Sequence, residues 1–390
     1  MITIQNADKA LKDYYLDAVS VQLNDGISPF FSAIEKNSDC VYGKDVKVAV
    51  VRGNNGSIAA GVEDGNLPAP YSNRYLDITV PLKNLYGTIE ISDKALRASR
   101  DSSGAFVNLV NAEMDGLISS AKQNFQRMLF GNGTGKLFRI TGNASGSTYK
   151  ADAVCDYFAG MKVDIQLAIP AIKGDAVNLV ITSVNKAAGT VTFDRTVSDN
   201  ILNGTAYVAG SLDNELTGLG AIFENTTLYG YNKADEPFVS PLKIDGENEL
   251  TEDKLVEVLD RMEECYNSKI NMILCSYKMR RRIAALIANN RRVVNSVDAR
   301  TGVGVVTVND VPVYADRYCA DGEIIFVNTD DFCLSQLCDW EWLEDEDGKI
   351  LKQVPGKAAY TATLVKYAEL ICKKPCGQAK LYNLKELDGE

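Results

Sequence analysis

Histidine is absent from all 390 residues, and that absence removes more chemistry than any motif adds. Imidazole is the commonest general base, the usual partner of a nucleophilic serine or cysteine, and a standard ligand of catalytic zinc. An enzyme built from this chain would have to run on carboxylates, lysine or tyrosine, as glycosidases do with two convergent carboxylates. Long apolar runs are missing too, and nothing approaches the ~20 residues that cross a bilayer. The opening MITIQNADKALKDYYLDAV carries charges where a signal peptide has its apolar stretch. Basic charge is in deficit: the net charge is −11, whereas a dedicated nucleic-acid binder carries a basic footprint.

The nine cysteines are odd in number and scattered, the pattern of reduced thiols in a cytoplasm. Cys333 and Cys338, then Cys372 and Cys376, are spaced too loosely for the paired C-x2-C of a zinc site, and no histidine can complete a mixed one. No metal and no cofactor is expected.

One stretch imitates a phosphate loop. LFGNGTGK, residues 129–136, has Phe130 where a Walker A loop needs its first glycine and Leu137 where it needs a hydroxyl. What precedes it is a helix pattern over 102–130. Asp101, Ser102 and Ser103 are N-cap types, and Phe106, Val110, Met114, Leu117, Ala121, Phe125 and Met128 recur at steps of three and four. Gly131 then stands where a left-handed C-cap residue is wanted. A helix C-terminus presents carbonyl oxygens and repels phosphate, so this is a helix stop.

Along the rest of the chain, residues 1–39 form an arm with one amphipathic helix through Leu11, Tyr15, Ala18 and Gln22, then SPFFSAIEKN. Two alternating runs follow, Val46, Val48, Val50 and Leu76, Ile78, Val80, Leu82, joined by a long polar, glycine-rich tip that is costly to order on a lone monomer. Residues 149–212 read as a small all-β module of about six strands. An α/β module covers 213–335, with Thr251 as the N-cap of a helix carrying Leu255, Leu259 and Met262. The tail, 336–390, reads as long strands, the first pair turned at Asp347-Gly348. DEDG (345–348) lacks the further ligands of a calcium loop, and Trp340 and Trp342 read as packing residues on a strand.

In this order the pieces resemble the major capsid protein of tailed bacteriophages with the HK97 fold. The resemblance rests on the arm with SPFFSAIEK, the long two-stranded loop, ISDKALRAS before the long helix, the GNGTG stop, LTGLGAIFEN, the α/β module and the strand-rich tail. It implies an α+β chain divided into an N-terminal arm (1–39), an extended loop (40–85) and a peripheral domain (86–148) with spine helix 102–130. An inserted β domain (149–212), an axial domain (213–335) and peripheral strands with the C-terminus (336–390) follow. It implies a structural protein and not an enzyme. Its partners would be copies of itself as pentamers and hexamers, non-specifically contacted double-stranded DNA, and scaffold, portal and decoration proteins, in a virion capsid assembled in the bacterial cytoplasm. An encapsulin-like compartment shell shares the fold and is the nearer alternative; a carboxylate-dependent hydrolase with an accessory β domain is the remoter one.

Glu63 and Asp64 at the loop tip, with Arg52 and Arg74 near its ends, suit intersubunit ion pairs. Arg280, Arg281 and Arg282, with Arg291 and Arg292, form the one basic cluster; in an acidic chain they read as a helix face for acidic neighbours before they read as a DNA contact. Some members of the family weld their shells through a loop lysine. Between Arg52 and Arg74 there is none, leaving Lys44, Lys47 and Lys83 near the base.

Overall fold

The computed structural model describes residues 28–63, 65–94, 103–152, 157–167, 176–197, 201–290, 296–297, 304–344 and 348–385. The helix expected through Leu11 to Gln22, the N-cap types Asp101 and Ser102, the site residue Asp64, and Arg291 and Arg292 lie outside these residues.

Helix α1 (Pro29–Ala33) starts at Ser28, whose hydroxyl accepts the Phe31 N–H at 3.4 Å, with proline at the first helical position. Its two aromatics anchor the chain. The Phe30 ring meets Phe332 edge-on at 5.1 Å, and Phe31 meets Phe125 edge-on at 5.3 Å. Helix α2 (Ser103–Phe130) is the long helix of the sequence pattern. Of the expected stripe Met114, Phe125 and Met128 are buried and Leu117 and Ala121 partly so, and Ile118 and Leu129 are buried beside them. This stripe packs on a five-stranded sheet of Glu35–Asn37, Lys83–Ser92, Phe332–Trp342, Lys352–Gln353 and Ala359–Cys372.

The tail departs from the expected hairpin. Phe332–Trp342 pairs antiparallel with Ala359–Cys372, Phe332 opposite Cys372, and only Lys352 and Gln353 add a short strand beside Thr361 and Tyr360. Lys352–Gln353 thus pairs with Ala359–Cys372 and not with Phe332–Trp342, and Asp347 of the expected turn lies outside the described residues. The 14-residue strand Ala359–Cys372 has its other edge taken by Lys83–Ser92, and that central position, buried on both faces, needs the longer apolar run.

A second core lies inside a closed barrel of six strands: Lys136–Ser145, Thr148–Ala151, Lys162–Gln166, Leu179–Asn185, Thr190–Phe193 and Thr205–Val208. Alternation places Phe138, Ile140, Val163, Ile165, Ile181 and Val191 inside. Closure draws in residues 136–148, so the boundary expected at 149 falls inside the barrel. The sequence from 136 to 145 is only half apolar-alternating and ends in small polar residues, which hides its strand character.

A third core belongs to a six-stranded sheet ordered Leu242–Asp245, Ala379–Tyr382, Ile324–Val327, Met272–Cys275, Val311–Ala315 and Thr307–Val308. It is packed with α4 (Glu252–Tyr266) and α5 (Tyr277–Asn290). The Thr251 hydroxyl accepts the Lys254 N–H at 3.2 Å, and Asn267 closes α4 in the left-handed region at φ 45°. Strand Ala379–Tyr382 pairs parallel to Leu242–Asp245 and antiparallel to Ile324–Val327. The end of the chain thus returns to this sheet, whereas the sequence division assigned all of 336–390 to the first.

Candidate intersubunit surface

The loop is built on a hairpin whose strands, Asp45–Gly53 and Arg74–Pro81, pair from Asp45 opposite Pro81 to Gly53 opposite Arg74. One face is apolar by alternation, and Val46, Val50, Leu76, Ile78 and Val80 are buried in the first core. The Tyr231 hydroxyl donates to the Asp77 carbonyl at 2.9 Å, and Arg52 pairs with Glu236 at 3.0 Å. The two-stranded part of the hairpin is thereby fastened to residues 231–236 of its own chain. Arg52, expected to pair between subunits, has its partner within the subunit.

Beyond Gly53 and Arg74 the ladder ends. Ser57 clips the two legs: its hydroxyl accepts the Tyr71 N–H at 2.5 Å, and its own N–H bonds Asn55 Oδ1 at 2.8 Å. Past this clip the described tip exposes its apolar side chains. Ile58 is 93% exposed, Leu67 91%, Val62 76% and Tyr71 67%. On the outward face of the hairpin, Val51 and Tyr75 stand directly opposite each other, both exposed. Burying such a side chain is worth about 1.5–3 kcal/mol, and large exposed apolar patches commonly mark interaction sites.

Glu63 and Arg74 are exposed and make no ion pair among the described residues. Arg280 stacks on the Tyr277 ring at 5.5 Å, Arg282 donates to the Lys385 carbonyl, and Arg281 is exposed on the same helix. These three lie on α5, in the module with the third core, and the structure does not bring them together with the loop residues.

Sequence reasoning missed a set of buried ionisable groups where α2 ends. Arg127 and Glu215 form an ion pair with both side chains buried, and Arg127 also donates to Asn124 Oδ1 at 2.8 Å. Glu369, fully buried, accepts the Thr217 N–H at 2.7 Å and the Leu370 N–H at 3.0 Å. Burial pushes its carboxyl up to about 7. Lys366, also fully buried, donates to Asp339 and, at 3.0 Å, to Gln336 Oε1. Its ammonium lies 5.6 Å from the Phe125 ring centre and 5.8 Å from that of Trp340. Desolvation lowers its pKa. The available signal was charge interrupting an apolar run, in TLVKYAELIC.

The glycine turn locks into this joint. A Cβ on Gly218 would strike the carbonyl oxygen of Met128 and lie 2.6 Å from those of Leu129 and Gly131; one on Gly220 would lie 2.9 Å from that of Phe130. Helix α3 (Leu219–Glu224), for which Gly218 is the N-cap, therefore begins against the carbonyl end of α2. The left-handed residues of the turn are Gly133 (φ +86°) and Gly135 (φ +81°). Gly131, expected in that conformation, instead continues the helix ladder through its N–H to the Arg127 and Met128 carbonyls. Between the strand Lys83–Ser92, α2 and residues 208–215 lies a cleft of about 570 Å³.

The profile of the SU10 major capsid protein family matches residues 181–349. No curated protein matches the sequence. Among solved structures, the fold is similar to the capsid asymmetric unit of cyanophage A-1(L), at TM-score 0.53 and 10% identity over 92% of this chain and 93% of that one. It is similar also to the capsid of a native GTA particle, at TM-score 0.52 and 10% identity over 92% and 91%. The holo-SrpI encapsulin of Synechococcus elongatus PCC 7942 is matched at TM-score 0.46 and 11% identity over 92% of this chain and 89% of that one.

Proposed function

We propose that this chain, a shell-forming major capsid protein of the tailed-phage HK97 fold, assembles as pentamers and hexamers into an icosahedral head around double-stranded DNA. The observation that carries the reading is the loop. A subunit that anchors the two-stranded part of a hairpin to itself and holds an apolar tip clear of its own cores has a surface made to be covered by another copy. Repeated around closed rings, that contact converts an unsupported loop into many identical interfaces.

On this reading the tip of the extended loop, beyond Gly53 and Arg74, lies on a neighbouring subunit, while Phe30, Phe31 and the hairpin strands stay packed in their own core, and the module of the six-stranded sheet meets its copies around the ring axes. The barrel is an inserted domain displayed on the outer surface. Arg280, Arg281 and Arg282 face acidic neighbours or the packaged DNA, while Glu63, Asp64 and Arg74 line the loop's contact with the next subunit. Assembly takes place in the host cytoplasm, with scaffold, portal and decoration proteins as further partners.

Expression of residues 1–390, followed by light scattering and negative-stain electron microscopy, tests the reading. Closed shells or rings of five and six subunits are expected, with nuclease-protected DNA inside particles from infected cells. A monomer that stays monomeric beside every neighbouring phage gene product, or shells filled with protein cargo in place of DNA, would overturn it.

A further inference from the structure

Glu369 differs from the other buried charges at the joint in having no countercharge in contact. Its Oε1 atom accepts two backbone N–H groups, while Oε2 is buried without a hydrogen-bond partner. One of the two donors, Thr217, immediately precedes Gly218, the residue pressed against the end of α2. Glu369 itself sits on the central strand Ala359–Cys372. The carboxyl group therefore ties the segment that wraps the end of the long helix to the middle of the sheet.

The groups that face it are few. Lys83, from the neighbouring strand, is the cation that acts on it, and its ammonium is engaged with the Asp213 carbonyl at 2.9 Å. The Tyr229 hydroxyl accepts the Cys372 N–H at 2.8 Å. Burial raises the pKa of both Tyr229 and Cys372, which keeps them neutral. Arg127, on α2, is taken by Glu215. An ionised Glu369 is thus held by two N–H groups, the Thr217 hydroxyl and the Lys83 ammonium, while Oε2 stays buried without a hydrogen-bond partner.

We propose that Glu369 and the Thr217 amide form a pH-sensitive latch between the end of α2 and the C-terminal sheet, closed while the carboxyl is protonated and loosened when it ionises. A carboxyl whose folded-state pKa is raised favours the closed state at low pH. Opening of the joint, which returns Oε2 to water, becomes easier as pH rises from the free-carboxyl value near 4.5 to about 7, and no easier beyond. The latch belongs to the subunit and acts whether or not the chain is assembled, so its failure and the failure of the capsid reading are separate results.

Hydrogen exchange of the full chain, read by mass spectrometry on the peptides containing Thr217 and Leu370, tests it between pH 5.5 and 9, above the isoelectric point of about 4.8. After correction for intrinsic exchange, the opening constant should rise about tenfold per pH unit up to about 7 and then level. Glu369→Gln should flatten the profile. Lys83→Met, a substitution at a half-buried position, should move the plateau to higher pH, and it decides the matter if the glutamine variant does not fold. A corrected opening constant independent of pH in the unmodified chain, or an unchanged rise in Glu369→Gln, would overturn the latch.

Discussion

Arg127 and Glu215, separated by 88 positions in sequence, form an ion pair with both side chains out of water at the end of the long helix. Removing one member leaves the other as an uncompensated buried charge, so Arg127→Ala or Glu215→Ala should each cost about 3–5 kcal/mol. Arg52 and Glu236 make a pair of similar form, but the arginine side chain is 44% exposed. There Arg52→Ala should cost at most about 1 kcal/mol. Urea midpoints of the three variants measure the contrast; equal losses would show that burial does not set the worth of these pairs.

Gly218→Ala should destabilise the subunit by roughly 1–3 kcal/mol. The cause is not backbone conformation, since φ is −79°, but backbone oxygens of α2 that stand where the methyl group would go and cannot swing aside. Gly146, with nothing near its Cβ position but φ +57°, gives a useful comparison, because alanine there is opposed by strain alone, about 1–2 kcal/mol. Thermal unfolding of the two variants, with a crystal structure of Gly218→Ala to look for displacement of α3, separates crowding from strain.

Ile58→Ser combined with Leu67→Ser should abolish assembly while leaving the melting temperature of the isolated subunit unchanged within about 0.5 kcal/mol of stability. Both side chains are more than nine-tenths exposed and touch no core of their own subunit. Sedimentation velocity on the variant reads the first effect and calorimetry the second. Normal particles from the double variant would remove the tip from the interface.

No ladder of covalent multimers should appear when particles are boiled and reduced; the gel should show one band near 42.5 kDa. The tip between Arg52 and Arg74 offers no lysine, and Lys83 at its base is engaged with the Asp213 carbonyl. Bands at multiples of the subunit mass would direct attention to Lys44 and Lys47.

The sequence by itself determined the local elements and the chemistry they exclude. Apolar steps of three and four marked α2, alternation marked the hairpin from Val46 to Val80, Thr251 marked the start of α4, and the absence of histidine closed the commonest catalytic routes. These are properties of neighbouring residues, and periodicity reports which face of an element will be buried. Only the tertiary structure decided what each face is buried against. It drew Lys136–Ser145 into the barrel, carried Ala379–Tyr382 back to the sheet of Leu242–Asp245, turned Arg52 toward Glu236 and brought Arg127, Glu215, Lys366 and Glu369 out of water. Strand partners and buried charges depend on contacts between residues tens to hundreds of positions apart, and their energies are set by desolvation at the place where the chain meets itself.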